Sequence, residues 1–221
     1  MLSAAFAGAV AEATSRGGSA LTWRASAAAP LALFLSLCAC LLQQSVLEFY
    51  WHWAMHTPLL YRTLHAHHHY YKSPQPFDDL CIHPLEAFGY FCILYSPAMV
   101  NLVPSFLGGA PVCHVWAFLA YMSVCGVCGV LDHSGVRCRL ALRLPLPCFG
   151  RGAPAAWLEV PIYDTEEHDA HHSCGFGGTT AVNLGFPFAL LDRLHGTYVS
   201  PQEAQARRAA LRGQGAARTA R

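Results

Sequence analysis

Charge is scarce in this chain. Only 12% of its 221 residues are Asp, Glu, Lys or Arg, about half of the roughly 25% usual in a soluble domain. The 54% share of hydrophobic residues points instead to a chain that lies partly in lipid. Net charge is +1, so overall charge implies no nucleic-acid partner. No HExxH motif occurs, which excludes the zincin proteases. Cys125-Gly-Val-Cys128 has no second CxxC and lies inside an apolar run, so it is a weak redox or zinc signal. No side chain reads as an independent nucleophile or general base.

The apolar stretches set the organisation. Residues 1–29, rich in Ala, Ser and Gly, are expected to be a targeting segment or a disordered tail. An uncharged run over residues 30–47 predicts a first membrane span, with Gln43 and Gln44 blurring its end. Residues 87–131 contain no Lys, Arg, Asp or Glu. At about 1.5 Å per residue this stretch is too long for one crossing of a hydrocarbon core about 30 Å thick. Pro104, Gly108, Gly109 and Pro111 sit midway, predicting a helical hairpin over about 87–106 and 112–131.

A hairpin returns the chain to its starting side, so the polar stretches 48–86 and 132–221 share one membrane face. Most of the Lys and Arg lie in the second stretch. The positive-inside rule makes that face cytosolic. The ten cysteines are then in a reducing setting, which argues against disulfides. Residues 183–198 are apolar but too short to span, and are expected to lie on the membrane surface or cap the catalytic part. Residues 199–221 read as a basic flexible tail. The expected fold class is all-α: integral membrane helices, with a cytosolic-facing helical cap over a His-rich di-metal site, in one domain over 30–198.

Nine of the thirteen histidines are clustered. His52 and His56 form HxxxH, which on a helix puts both rings on one face. His65, His68 and His69 form HxxHH, as do His168, His171 and His172, and His133 stands in Asp-His-Ser-Gly. Imidazole suits iron, zinc, copper and nickel. Zinc takes four ligands, so this many histidines fit two metals better than one zinc. His83, in His83-Pro-Leu-Glu86, is counted with the ligands or as a group behind them. His67 is off the pattern, and His114 and His195 read as structural or headgroup-level. Asp78, Asp79, Glu86, Asp132, Asp164, Glu166, Glu167 and Asp169 accompany the clusters as possible partners for ring N–H groups, or as ordinary solvated acids.

These motifs together resemble the fatty acid hydroxylase / sterol desaturase superfamily. The matching text is EFYWHWAMHTPLLYRTLHAHHH, then IHPLE, DHSG, HDAHH and LLDRLHGTY, from about residue 48 to 198. Trp53 stands where many members have Arg, and Leu191 where Trp is usual. The resemblance implies two iron ions held by these histidines, and use of O2. It also implies electrons from NAD(P)H through a cytochrome b5-type donor, an endoplasmic-reticulum-type membrane, and a sterol, sphingoid or fatty acyl substrate. Tyr90, Phe91, Tyr95 and Trp116 are possible substrate lining, or plain packing and lipid-facing residues. Two other classes remain open: a metal transporter, which would place polar groups along a span, and a non-catalytic lipid- or partner-binding relative.

Overall fold

The computed structural model describes residues 2–23, 29–72, 75, 77–100, 113–145, 157–174 and 181–219. Its helices are α1 (Leu2–Ser15), α2 (Pro30–Met55), α3 (Pro58–Thr63), α4 (Pro84–Met99), α5 (Val115–Asp132), α6 (Thr165–Cys174), α7 (Leu190–His195) and α8 (Pro201–Thr219). Two short 3-10 turns cover His65–Tyr70 and Asp78–Leu80. The strands are β1 (Leu21–Thr22) paired in parallel with β2 (Cys113–His114), and β3 (Arg139–Pro145) paired antiparallel with β4 (Trp157–Asp164). The fold is mostly helical, as expected. The β3–β4 hairpin is the main departure, and its signal was the alternation Leu140, Leu142, Leu144.

Among the described residues, α2 and α5 are long and apolar enough to cross a membrane. Helix α2 runs on to Met55 rather than stopping near residue 47. The reason lies in the two glutamines. Gln43 donates to Ser96 Oγ (2.9 Å) and the Val100 carbonyl (3.0 Å), so its polar group faces α4. Gln44 bonds Glu48 and lies 2.8 Å from the Tyr121 hydroxyl. Polar groups that are paired between helices do not end a span. At 1.5 Å per residue, His52 lies about 33 Å from the start of α2, beyond the edge of a hydrocarbon core about 30 Å thick.

Helix α4 starts three residues before the expected span, with Pro84 in its first turn and His83 as N-cap. It ends at Met99, and the expected turn around Pro104–Pro111 lies outside the described residues. The core sits among α2, α4 and α5, where Cys40, Tyr95, Ala98, Phe118, Tyr121 and Cys125 are buried together. Residues 2–22, expected as part of a tail, are built into this core. Phe6 of α1 stacks on Phe91 (5.8 Å) and Tyr95 (5.6 Å) of α4. The nine described cysteines are free; Cys40 and Cys113 meet at 3.6 Å between sulfurs, and Cys148 lies outside the described residues.

Beyond Ser200 the chain forms α8, which packs on α6 through Ala204 in a small core with Ala170, Val182 and Val199. Arg208 of α8 bonds Asp169 of α6 at 2.6 Å. A chain ending at Ser200 should therefore melt several degrees lower, the shift expected from about 1–2 kcal/mol of lost packing and pairing. A thermal melt in detergent checks this, and an unchanged midpoint would show that α8 does not support α6.

Candidate metal centre

The histidine boxes lie at the ends of the core helices. His52 and His56 occupy the last turn and C-cap of α2, and His133 is the C-cap of α5. His65, His68 and His69 follow α3 on the 3-10 turn, and His168, His171 and His172 project from α6. Their ring nitrogens gather into two groups, each able to hold a metal ion. One comprises His52, His56, His65, His69 and His171; the other comprises His68, His133, His168 and His172. Within each group the ligand atoms all lie within 4.8 Å of one another.

Each HxxHH box is divided between the two groups. On α6 an advance of four residues turns the helix about 40° beyond a full circle, so His168 and His172 point the same way. His171 is about 100° from His172 and turns to the other group. In the His65–Tyr70 segment His65 and His69 likewise fall in the first group and His68 in the second.

Protein atoms behind the rings decide which nitrogen faces inward. His52 donates its Nδ1–H to the Leu184 carbonyl (2.9 Å), and His171 to that of Val182 (2.7 Å). His133 does the same to Gly129 (3.0 Å), and His65 to the Glu86 carboxylate. A carbonyl or carboxylate only accepts, so these nitrogens carry the proton. In the neutral ring the Nε2 lone pair then points into the group.

The inward nitrogens have the spacing that an ion requires. In the first group, Nε2 of His65 lies 3.0 Å from that of His69 and 3.1 Å from that of His56. Nε2 of His171 lies 3.1 Å from that of His69 and 3.3 Å from that of His56. In the second group, His168 lies 3.2 Å from His133 and 3.0 Å from His172. Two nitrogens at right angles, each about 2.1 Å from one ion, are about 3.0 Å apart. The buried Nε2 of His52 has no hydrogen-bond partner among the described residues. A buried lone pair aimed at its neighbours' lone pairs is costly unless a cation sits among them.

Burial also keeps the rings neutral. It pushes His56 down to about 2 and His172 down to about 3, with further lowering from neighbouring histidines. His65, His68, His69, His168 and His171 shift the same way for the same two reasons. Neutral imidazole is the ligating form.

The remaining candidates lie elsewhere. His83, counted above with the ligands, is in neither group: its Nδ1 accepts from the Leu85 amide at 3.2 Å and starts α4. The acid three residues on is the one that reaches the site. Glu86 is fully buried against His65. His67 is exposed, His114 caps α5, and His195 stacks on Phe49 at 5.1 Å. Asp132 accepts from the Tyr163 hydroxyl (2.7 Å), and Asp79 lies 3.9 Å from His133 Nδ1.

Asp192 is a buried acid behind the site that the histidine patterns did not reveal. It is fully buried and accepts from the Leu184 amide, the Gly185 amide and the Thr197 hydroxyl, each at 2.7 Å. It thereby fixes the loop whose Leu184 and Val182 carbonyls orient His52 and His171. A Cβ on Gly185 would lie 2.6 Å from the Phe188 carbonyl oxygen and 2.7 Å from Asp192, so only glycine fits. Asp192→Ala leaves buried donors unpaired and should cost about 3 kcal/mol, given roughly 1–3 kcal/mol for each unmet buried group. Thermal melts and bound-metal analysis of the variant check this; a change confined to stability, with full metal content, would refute the orienting role.

A cavity of about 340 Å³ lies between α2, α4 and α5 and touches both groups, through His52 of the first and His68, His133 and His168 of the second. Phe91, Leu94, Met122 and Phe186 give it apolar lining, and Glu48, Asp79 and Asp132 line it as well. Of the aromatic residues considered above, Tyr90 and Phe91 line it. Tyr95 is buried in the core and Trp116 is exposed.

The family model for fatty acid hydroxylase matches residues 37–197, a segment holding every residue of both groups and the glutamate and loop behind them. The chain belongs to this family. Among curated proteins, this fatty acid hydroxylase family member is similar to methylsterol monooxygenase 2-1 of Arabidopsis thaliana, at 28% identity over 153 residues. The match covers 67% of this chain and 50% of that protein, so the chain spans about half the length of the curated relative. No solved structure matches the chain. Helix α8, which packs on the helix carrying His168, His171 and His172, lies beyond the matched segment.

Proposed function

We propose that this family member is a membrane-bound lipid oxygenase. In this reading two iron ions occupy the two histidine groups, and O2 is used to hydroxylate or desaturate a sterol, sphingoid or fatty acyl lipid. The observation that carries it is the cavity: one space bordered by both groups and walled by apolar side chains. Electrons come from NAD(P)H through a cytochrome b5-type donor, and the membrane is that of the endoplasmic reticulum with the histidines facing the cytosol. The name of the plant methylsterol monooxygenase supports the lipid oxygenase class.

The bound irons supply the oxidation of an unactivated C–H bond. The protein's part is to hold and exclude. His52, His56, His65, His69 and His171 hold one ion; His68, His133, His168 and His172 hold the other. Glu86 and the Val182 and Leu184 carbonyls keep three of these rings in the Nδ1–H form. The apolar wall excludes water and keeps a lipid segment beside the histidines. His83 acts as a helix cap rather than as a ligand.

Expression in a lipid-synthesising cell, followed by metal analysis of the purified chain and lipid profiling, tests this. About two irons per chain and a new oxidised lipid are expected, since each histidine group suits one ion. Less than one iron with an unchanged lipid profile would overturn it.

A further inference from the structure

The carboxyl groups that line the cavity are gathered toward one end of it. Helices α2 and α5 both end at the histidines, so earlier residues of each lie progressively farther from them. Asp132 immediately precedes His133, and Asp79 lies 3.9 Å from the Nδ1 of that ring. Glu48 stands one turn before His52, about 6 Å along α2. The other end is apolar. Met122 lies about 15 Å before Asp132 along α5. Leu94 is level with it, since its carbonyl accepts from Tyr121, next to Met122, at 2.9 Å.

Glu48 is set among the apolar lining. It is nine-tenths buried, yet it borders the cavity. Gln44 donates to its Oε2 and accepts in turn from the Tyr121 hydroxyl at 2.8 Å, which fixes the carboxyl between α2 and α5. Its Oε1 makes no hydrogen bond among the described residues. A buried carboxyl oxygen without a partner is costly unless a donor from a ligand meets it. No Lys or Arg of the described residues lines the cavity. A carboxylate or phosphate head would therefore meet three acids and no cation, and like charges in contact repel.

We infer that Glu48 receives the head group of the substrate lipid, and that this head is a hydrogen-bond donor without negative charge, a hydroxyl or an amine. The lipid lies with its tail along Phe91, Leu94 and Met122 and with its first few carbons beside the histidines. Among the substrates of the proposed function, sterols and sphingoid bases fit this site and free fatty acids do not. The inference rests on the reading of the cavity as the lipid site.

The test uses the full chain as purified, with three radiolabelled probes of one chain length: octadecanol, octadecylamine and stearate. The alcohol and the amine should bind about tenfold tighter than stearate, the factor that one hydrogen bond in a cavity carries. Glu48→Leu should bind all three alike. Glu48→Gln keeps an oxygen acceptor but no charge, so it should retain the alcohol and weaken the amine, which tells the two heads apart. Equal binding of the probes by the parent chain, binding of none of them, or a preference that survives Glu48→Leu would overturn the inference. Should Glu48→Leu not fold, Glu48→Gln decides: an amine held as tightly as by the parent would overturn it. An oxidised product should carry its change within the first few carbons of the head, and a product altered at the end of the tail would count against the inference equally. Iron content and lipid profile of the same protein keep the two readings apart. A head preference without iron or oxidised lipid would defeat the oxygenase reading alone, whereas iron and an oxidised lipid without a head preference would defeat this inference alone.

Discussion

His171→Ala should remove iron from one group and His168→Ala from the other, although the two residues belong to the same box and are three positions apart. Each variant should retain about one of two irons, since each histidine group suits a single ion. Activity should fall by more than the roughly 10–100-fold that follows loss of a group behind a ligand. The decisive readout is the identity of the remaining iron. Its Mössbauer signal should differ between the variants, because His171→Ala leaves the ion held by His68, His133, His168 and His172, while His168→Ala leaves that held by His52, His56, His65, His69 and His171. His69→Ala should resemble His171→Ala, and His68→Ala should resemble His168→Ala. Variants that pair by box rather than by group would refute the division.

Glu86→Ala should have the next largest effect. The glutamate is fully buried and accepts the Nδ1–H of His65, itself fully buried. Without it that N–H has no acceptor, at a cost of about 1–3 kcal/mol to the folded chain. The ring is also free to turn or to change tautomer, which withdraws Nε2 from the first group. Iron affinity should fall about 10–100-fold, the range seen when a partner behind a metal-bound histidine is lost. Glu86→Gln keeps an oxygen acceptor and should recover part of the loss. Competition with an iron chelator, run beside thermal melts, separates metal affinity from stability. An alanine variant that melts lower but holds iron as tightly as the parent would limit Glu86 to packing.

These two residues show how far the primary structure could be read. The histidine spacings were enough to single out the nine rings that the fold gathers, since HxxxH and HxxHH are patterns of a helix turn. The split between groups was not legible, because it depends on which neighbour each ring meets once α2, α5 and α6 are packed. In His83-Pro-Leu-Glu86 the histidine drew attention as the metal-binding type of side chain. Proline at the first helical position makes His83 the cap of α4, and places Glu86 inward, one turn on, against His65.

Gln43 and Gln44 looked like the end of a span because polar groups in lipid are costly. Partners on α4 and α5 remove that cost, and nothing local encodes those partners. The Val182 and Leu184 carbonyls carry no side-chain signal at all. They become functional only because Asp192, eight residues beyond Leu184, folds their loop back onto His52 and His171.

By itself the sequence determined the membrane-helical class, the family resemblance and the nine clustered histidines. These depend on composition and on periodicity within single turns of helix. Only the tertiary structure decided the partition into two groups, the tautomers and the cavity that joins them. These depend on distances between atoms far apart in the chain, which short-range spacing does not specify.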